Sequence, residues 1–564
     1  MQIYHHLFLK HVSFITLNLV LVDGRTQLDH IIIFFSFIKM RETLKKYVCI
    51  LATCLSCILC NSSKILVVFP MPGKSHGILG KSCVDLLLEA GHQVTYVTWD
   101  SHSIQSHQNL SVIDIRLPLP IEERFSLKHT ISGKVDLGNL YEFVTLISEM
   151  ERKILEHEEI QKLLKDPEVT FDVAILEWLY GEYIVGIPAV FGCPYIWLSS
   201  MEPHFFILNL IGGTTNPAYM PPNVFKSAPP LNFMERVMSL WDLTVLHLYR
   251  ELYIHPIEER HYQSVVVPLI AKRGHVIPSY NELRYNASLV LGNSHISAGR
   301  PLQLPESYKT VGGYHIRKER EPLPKELQNI MDNSTNGVIY FSMGSTLKSQ
   351  DFPEVIKEKI FKYFERLKQT IIWKFEMDLP NKPSNVHFTS WAPQQSILAH
   401  PNCVLFISHG GQLSVLEAIH FGVPLIGIPV FADQHLNINT LVKKGMAKGV
   451  NLSSDLAEDL QDAIEEILGN KSYTLAAKRH SHIYHHRPVQ PRAELVHWVE
   501  HVIQTRGAPH LRSLTLIVPW YERWYLDVAT VAIVILTLLV IVVKRLFNKI
   551  KAVSDTLYSV KKMQ

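Results

Sequence analysis

Cysteine is scarce in this chain and unevenly placed. The sequence has 564 residues and seven cysteines. Four of them lie in one apolar N-terminal segment: Cys49, Cys54, Cys57 and Cys60. The other three are spread along the chain: Cys83, Cys193 and Cys403. The CxxC spacing occurs only in the N-terminal segment and has no distant second pair. We therefore expect neither a zinc site nor a disulfide framework.

An excess of charge of one sign is also lacking. The chain has 55 Lys and Arg residues against 52 Asp and Glu residues, which leaves a net charge of +3. No stripe of basic and aromatic residues is present, so a nucleic-acid partner is not expected. Hydrophobic residues make up 47% of the chain and charged residues 19%, which fits a globular protein with membrane segments. A chain of this length predicts two large domains.

Two common nucleotide-binding motifs are missing. No GxGxxG follows a predicted strand, which argues against a dinucleotide oxidoreductase. Gly73-Lys74-Ser75 resembles the end of a P-loop, but Val68 stands where the first glycine belongs, which argues against an NTPase. No DxD-like pair of acids lies within residues 391–434. We therefore expect no metal ion and no cofactor.

Residues 391–434 are the most informative stretch of the chain. The apolar run Val404–Ser408 predicts a buried strand, and the turn His409-Gly410-Gly411 follows it directly. A helix is predicted over Gln412–Phe421 and a second strand over Val423–Val430, which together make a βαβ unit. Backbone N–H groups at the start of such a helix suit an anion such as a diphosphate. The imidazole of His409 can also donate a hydrogen bond to a phosphate.

Side chains around this unit suit the other parts of a nucleotide sugar. Trp391 offers a flat apolar face to a base, and Gln394 offers a donor and an acceptor to its edge. Glu417 could accept ribose hydroxyls, and Asp433 with Gln434 could hold sugar hydroxyls. Each residue alone also has a structural explanation, such as packing for the tryptophan. The ordered set favours a binding site.

These residues resemble the signature of the UDP-glycosyltransferase family, from WxPQ through HGG and the following Glu to the closing DQ. The likeness runs from about Ile65 to the C-terminus and is closest to animal membrane-bound members. The motifs PGKSH and HGGQLS resemble invertebrate members, whereas vertebrate members usually have Asn at the position of Leu413. The resemblance implies the GT-B fold, in which two doubly wound Rossmann-like α/β domains face each other across a cleft.

The resemblance also implies a catalytic base. The family places it at a histidine that corresponds to His76, on the loop that we predict after the strand Ile65–Phe69. Histidine can accept a proton near neutral pH, and a carboxylate can orient its ring. Glu177, after the apolar run Phe171–Leu176, falls where many members have Asp. Asp172 is the alternative partner, and a helix N-terminal charge is the structural explanation for Glu177.

The implied reaction is a direct displacement with inversion. An acceptor hydroxyl attacks the anomeric carbon of a UDP-sugar, and UDP leaves. We expect the leaving charge to be met by His409, the N–H groups at Gly410 and Gly411, and Ser345 in the loop after a predicted strand. Glucose is the first choice of sugar, and glucuronate is second because its carboxylate would want a cation and none is identifiable in the sequence. The implied acceptor is a small lipophilic molecule, which is consistent with a role in detoxification.

The predicted organisation has seven parts. They are an N-terminal extension (1–39), a signal peptide (40–62), an acceptor-binding domain (63–300), a UDP-sugar-binding domain (301–485), a helical segment that packs back on the first domain (486–517), a transmembrane segment (518–543) and a basic cytoplasmic tail (544–564). Sequons are compatible with a lumenal glycoprotein: Asn109, Asn286, Asn333, Asn451 and Asn470.

The C-terminal end predicts the topology. Basic residues follow the apolar segment at once, which predicts a single-pass membrane protein with lumenal domains. Lys561 and Lys562 resemble the dilysine retrieval signal of endoplasmic reticulum membrane proteins. The resemblance also allows for homo-oligomers. A membrane-anchored protein that binds a sugar nucleotide or a lipophilic ligand without turnover remains the alternative from another functional class.

Overall fold

The computed structural model describes residues 62–102, 104–117, 139–222, 227–379 and 381–563. Residues from Ser63 onward belong to one compact unit, which contains every element described below. The predicted extension (1–39), nearly all of the predicted signal peptide (40–62) and the four cysteines of the N-terminal segment lie outside the described residues.

A parallel sheet forms the first half of the large unit. Its strands are β1 (Lys64–Phe69), β2 (Gln93–Thr98), β3 (Leu110–Asp114), β4 (Val173–Trp178), β5 (Tyr195–Ser199), β6 (Leu289–Gly292) and β7 (Tyr308–Thr310). Their order across the sheet is β3-β2-β1-β4-β5-β6-β7. The central strands are continuous apolar runs because helices cover both faces of the sheet.

Nine α-helices accompany this sheet among the described residues. They are α1 (Lys74–Glu89), α2 (Leu140–Glu156), α3 (Glu158–Lys165), α4 (Gly186–Phe191), α5 (Phe205–Leu210), α6 (Phe233–Tyr249), α7 (His255–His261), α8 (Val267–Lys272) and α9 (Tyr280–Arg284). Two π-helical turns, Arg250–Ile254 and Tyr262–Val266, join α6, α7 and α8.

A second parallel sheet forms the other half. Its strands are β8 (Val338–Ser342), β9 (Thr370–Lys374), β10 (Val386–Thr389), β11 (Cys403–Ser408), β12 (Leu425–Gly427) and β13 (Ala447–Gly449), in the order β10-β9-β8-β11-β12-β13. The accompanying helices are α10 (Lys325–Asn333), α11 (Glu354–Phe364), α12 (Gln394–Leu398), α13 (Gln412–Phe421), α14 (Gln434–Lys443), α15 (Leu456–Gly469) and α16 (Ser472–His485).

The strand orders place a ligand crevice in each sheet. In each sheet the chain moves outward in one direction from a central strand and then returns to the other side of it, between β1 and β4 and between β8 and β11. Ligands of such sheets bind beyond the carboxyl ends of the strands at this switch point. The expectation of two doubly wound α/β halves is therefore confirmed.

The chain returns to the first half after the second sheet. In α17 (Pro491–Gln504), Leu495 and Val499 share a buried cluster with Ile65 of β1. Two short elements, Pro509–Leu511 and Leu514–Leu516, and α18 (Trp520–Arg523) lead to α19 (Leu526–Met563). Within the described part of the chain, α19 is the one helix long and apolar enough to cross a membrane, and it lies fully exposed.

Three predicted boundaries differ from the structure. Tyr308–Thr310 pairs with β6, so the first sheet extends past the expected boundary between residues 300 and 301. The helix α1 begins at Lys74, directly after Gly73, so His76 lies on the helix rather than on the predicted loop. The strand β12 covers less than the predicted Val423–Val430, because a proline near each end of that run cannot donate to a ladder.

Candidate active site

One cleft collects most of the predicted site residues. It has a volume of about 410 Å³ and is lined by residues of both halves. From the first half comes His76, and from the second come Ser345, Trp391, Gln394, His409, Gly411, Glu417, Asp433 and Gln434. Glu177 and Gly410 lie directly behind residues of the lining. The switch points of the two sheets thus open onto a common space.

His76 lies in the first turn of α1, and its Nδ1 is hydrogen-bonded to Glu177 Oε1. The pair forms because β1 and β4 are parallel neighbours, which brings the end of β4 beside the start of α1. Asp172, the alternative partner, lies before β4 and accepts a hydrogen bond from Lys64 N at 2.8 Å. The structure therefore pairs His76 with Glu177, and Nε2 is the ring nitrogen left to accept a proton.

The electrostatics of His76 involve both walls of the cleft. Burial lowers the pKa of its imidazole, but the charge of Glu177, the hydrogen bond to it and the charge of Asp433 together outweigh burial and raise the pKa above its ordinary value. Burial in turn raises the pKa of Asp433, while its hydrogen bond with Asn437 and the charge of His76 lower it. An imidazole of the first half is therefore electrostatically coupled to a carboxylate of the second.

His409 follows β11 and is held between two glycines. A Cβ on Gly344, which has φ +84°, would lie 2.5 Å from the imidazole, and a Cβ on Gly411 would lie 2.6 Å from its Nε2. Only residues without a side chain fit at these positions. Burial, followed by the charge of Lys374, lowers the pKa of His409 to about 4. A neutral imidazole has one N–H, which it can donate to a phosphate oxygen.

Gly410 has a different role from Gly411. Its φ is +85°, in the left-handed region that favours glycine, and an added Cβ would meet the side chain of Ile438 at 2.5 Å. Gly410 therefore shapes the turn, whereas Gly411 lines the cleft next to α13. The predicted pair of glycines is present, but only one of them lies where a ligand can approach it.

Sequence reasoning missed Lys374, the last residue of β9. Its side chain is mostly buried, lines the cleft and donates to Glu376 Oε1 at 3.1 Å. A lysine at the carboxyl end of a predicted apolar strand was the available signal. Lys81 and Arg317 also line the cleft. The statement that no cation could be identified for a sugar carboxylate is corrected by these three side chains.

Trp391 and Gln394, the residues predicted to contact a nucleotide base, both line the cleft and both have contacts of their own. Trp391 is half-exposed, and Lys74 Nζ lies 4.8 Å from the centre of its ring. Gln394 Nε2 donates to Glu417 Oε2 at 2.6 Å and to Ser414 Oγ at 3.1 Å. The amide donors of Gln394 therefore orient Glu417, and its carbonyl oxygen is left to read an N–H of a base.

Asp433 directly precedes α14, Gln434 is its first residue, and both line the cleft. Gln434 Oε1 accepts hydrogen bonds from the backbone N–H groups of Val430 and Phe431, at 2.8 and 3.1 Å. This amide oxygen therefore holds the preceding loop, which sequence reasoning had not foreseen, and only its NH₂ group is left to contact a sugar. Asp433 Oδ2 accepts from Asn437 Nδ2 at 2.9 Å.

The opposite end of the cleft is apolar. Met71, Phe143, Ile147, Met150 and Leu179, all from the first half, line it. Met71 lies five residues before His76 and Leu179 two residues after Glu177, so these apolar residues belong to the same half as His76. The arrangement suits an apolar molecule whose hydroxyl approaches the imidazole.

Comparisons with known proteins agree with this geometry. The sequence profile described as UDP-glucoronosyl and UDP-glucosyl transferase matches residues 63–562. UDP-glucosyltransferase 2 of Dactylopius coccus is 31% identical over 485 residues, which are 84% of this chain and 90% of that protein. UDP-glucuronosyltransferase 2B7 of Homo sapiens is 26% identical over 491 residues, again 84% and 90%. CalG4, the calicheamicin glycosyltransferase, has a similar GT-B fold, with a TM-score of 0.53, 17% identity, and coverage of 80% of this chain and 100% of that one.

Proposed function

Because the chain belongs to the UDP-glucoronosyl and UDP-glucosyl transferase family and is a UDP-glycosyltransferase, we propose that it transfers a hexose to the hydroxyl of a small lipophilic acceptor, with His76 as the base. The pairing of His76 with buried Glu177, opposite Asp433, is the observation that carries the proposal. The bond between the anomeric carbon and the acceptor oxygen forms as the bond to the UDP oxygen breaks.

The base acts through Nε2 of His76. The acceptor proton moves to this nitrogen while Glu177 holds Nδ1 and stabilises the imidazolium. The acceptor hydroxyl lies on the side of the first half, and the UDP-sugar is held by the second half. The hydroxyl therefore attacks the anomeric carbon on the side opposite the leaving UDP. An α-linked donor therefore gives a β-glycoside, with inversion.

The second half stabilises the leaving diphosphate. The N–H groups at the start of α13, one N–H of neutral His409 and the hydroxyl of Ser345 are donors, and Lys374 adds a positive charge. Trp391, Gln394 and Glu417 bind the nucleoside, and Asp433 with Gln434 binds the sugar. These donors are protein groups, so the proposed reaction needs neither a metal ion nor a cofactor.

Glucose is the proposed sugar, and glucuronate is the alternative. The invertebrate character of the motifs supports glucose, as does the printed name of the Dactylopius coccus relative. Lys374 is a cation in the cleft, but it already faces Glu376 and lies close enough to His409 to lower the pKa of that imidazole. Its position supports contact with the diphosphate rather than with a sugar carboxylate.

The proposed location is the endoplasmic reticulum membrane, with the catalytic halves in the lumen. Helix α19 begins with an apolar stretch, and Lys544, Arg545, Lys549 and Lys551 follow it. Such a basic flank favours the cytoplasmic side.

A donor panel and one substitution test the function. We expect the purified full chain to release UDP in the presence of a phenol, fastest from UDP-glucose compared with UDP-glucuronate and UDP-galactose. His76→Ala should reduce turnover by roughly 10²-fold or more, the lower end of what a general base contributes, with unchanged UDP affinity. The matched control is His482→Ala, which changes an exposed histidine of α16 and should leave turnover intact.

Other outcomes separate the alternatives. Equal turnover by His76→Ala and the unaltered chain would remove His76 from the mechanism. UDP-sugar binding without turnover of any donor would favour a binding protein. Preference for UDP-glucuronate would replace glucose by the alternative sugar and leave the role of His76 in place.

A further inference from the structure

The helix α6 carries large apolar residues on its exposed side as well as on its buried side. Ordinary surface helices bury an apolar stripe and expose a polar one. In α6 the buried side begins with a serine, Ser239, and continues with Leu243 and Leu246. The side facing solvent carries large apolar residues at helical spacing: Met234 (61% exposed), Val237 (46%), Trp241 (68%) and Leu248 (48%). We call these four residues the apolar line.

The apolar line belongs to a larger exposed surface. Its exposed apolar neighbours on α6 and the following π-helical turn are Phe233, Met238, Leu240, Leu252 and Tyr253. The charged residues of α6 lie beside the line rather than on it. Glu235 closes a capping box with Asn232, and the Arg236 guanidinium lies over the ring of Phe233. Large exposed apolar surfaces of this kind mark sites of interaction with a membrane or with a protein.

The chain's own contacts connect α6 to the segment that leads to the anchor. The carbonyl oxygen of Gly212 accepts hydrogen bonds from Ser513 and Thr515, shortly before α19. Ser239 Oγ donates to the carbonyl of Pro217 at 2.8 Å. Pro217 is five residues from Gly212, so the two points are within roughly 18 Å of each other.

The segment between Thr515 and α19 is also apolar and exposed. Ile517 is 68% exposed, Trp520 62% and Trp524 75%. Tryptophan side chains favour the interface between headgroups and acyl chains. This segment and α6 present similar exposed surfaces in neighbouring parts of the first half.

We propose that the apolar line of α6 lies in the interfacial region of the same membrane that α19 enters, so that the catalytic unit contacts the lipid surface at a second place. The occupant is the boundary between headgroups and acyl chains, because large apolar and aromatic side chains on one face of a helix suit that depth. This inference relies on the proposed membrane anchor and is independent of the catalytic role of His76.

The other side of α6 connects this surface to the cleft. Tyr249 OH lies 2.7 Å from Thr145 Oγ1 of α2, and the rings of Tyr249 and Tyr141 are in edge contact at 5.3 Å. On α2, Phe143 and Ile147 line the apolar end of the cleft. One helix therefore separates the lipid-contacting surface from the proposed acceptor site, which favours acceptors that dissolve in the bilayer.

Depth-dependent quenching on the full chain tests the proposal. A fluorescent label is placed at Val237→Cys, at Ile535→Cys within α19, and at Asn329→Cys on the exposed, polar side of α10. Each variant is reconstituted in phosphatidylcholine vesicles, and the unaltered chain gives the background from native cysteines. The label is then quenched with doxyl lipids or with iodide in the water, and UDP binding verifies that each variant is folded.

We expect doxyl lipids to quench the label at residue 237 several-fold more than the label at residue 329, with the opposite ranking for iodide. Quenching at residue 535 verifies the anchor separately. If residue 535 is quenched by lipid and residue 237 behaves like residue 329, the proposal is overturned. Protection of residue 237 from both quenchers, increasing with protein density in the vesicle, would instead assign this surface to a second copy and would equally overturn it. Absence of lipid quenching at residue 535 would remove the anchor on which the proposal relies.

Discussion

The ammonium group of Lys74 lies 4.8 Å from the centre of the Trp391 ring, so a residue of the first half covers the proposed base platform of the second. Lys74 is the first residue of α1, two positions before His76. The helix that carries the proposed base therefore also contacts the proposed nucleotide site. Binding of a base on this face of Trp391 requires the lysine to move away.

Lys74→Ala should strengthen UDP binding. An exposed cation–π contact is worth about 0.5–1 kcal/mol, so its removal should lower the Kd of UDP by roughly two- to five-fold. Calorimetric titration measures the change. Lys162→Ala, which alters an exposed lysine of α3, is the control and should leave the Kd unchanged. Weaker UDP binding by Lys74→Ala would show that this ammonium contacts the donor itself.

Glu177→Gln should change both the rate and its pH dependence. Glu177 and Asp433 raise the pKa of His76 above 6.5 against the opposing effect of burial, so kcat/KM should increase with pH through a value above 6.5 as the imidazole loses its proton. Without the carboxylate the pKa of His76 falls, so the limb of the pH profile over which kcat/KM increases should move to lower pH. The plateau should also fall, by roughly 10²-fold, because the imidazolium loses its partner.

Glu177→Asp is the matched control for that experiment. It keeps the negative charge and shortens the arm by one methylene, so the limb should stay closer to that of the unaltered chain. The proposed coupling is contradicted if Glu177→Gln lowers the plateau while the limb stays in place, since a purely structural defect would have that signature.

Lys374→Ala should weaken the binding of phosphates selectively. Hydrogen bonds to charged groups contribute about 1.5–3 kcal/mol, so the Kd of UDP should increase by roughly ten- to a hundred-fold. The Kd of uridine, which has no phosphate, should change little. Lys374→Arg retains the charge and should retain most of the UDP affinity. An equal loss for uridine and UDP would place Lys374 outside the diphosphate site.

Gly344→Ala should disturb His409. The φ of +84° costs a residue with a Cβ about 1–2 kcal/mol, and the new methyl would lie 2.5 Å from the imidazole. We expect a lower melting temperature and weaker UDP binding in a thermal shift assay with and without UDP. Gly469→Ala, where nothing lies within 4 Å of the added methyl, is the control. Unchanged UDP binding by Gly344→Ala would argue against a phosphate contact from His409.

The buried carboxyl group of Glu202 should make the stability of the folded state depend on pH. Burial raises its pKa to about 7, although Gln412 Nε2 donates to it at 2.7 Å and Arg300 attracts its charge. The folded pKa exceeds the unfolded value of 4.5, so the folded state binds the proton more tightly. This stabilising contribution is complete below pH 4.5 and is lost as the pH rises through about 7.

Glu202→Gln should therefore remove part of the pH dependence. Its melting temperature should exceed that of the unaltered chain at about pH 8 and approach it at about pH 5. Glu306→Gln, which changes a highly exposed acid, should show no such difference. A constant difference between Glu202→Gln and the unaltered chain across this range would contradict the raised pKa.

Several parts of the site could be predicted because they depend on neighbouring residues. The strand that leads into His409-Gly410-Gly411 and the helix Gln412–Phe421 follow from apolar patterning and glycine placement, and the helix has the predicted bounds. The position of His76 on α1 rather than on a loop was missed, because Gly77 suggested a longer turn than the helix permits. Lys374 was missed because a lysine at a strand end is ordinary until its neighbours are known.

The sequence by itself determined the family, the two α/β halves and the identity of most residues around the cleft, because local apolar periodicity and short motifs encode these properties. The tertiary structure decided which carboxylate faces His76, how Gln434 is used, and that Lys74 covers Trp391. Each of these depends on contacts between residues distant in the chain, such as the parallel pairing of β1 with β4 and the approach of the two halves across the cleft. The tertiary structure also decided which side of α6 is exposed. Helical periodicity shows which residues share a face, but packing alone decides which face is buried.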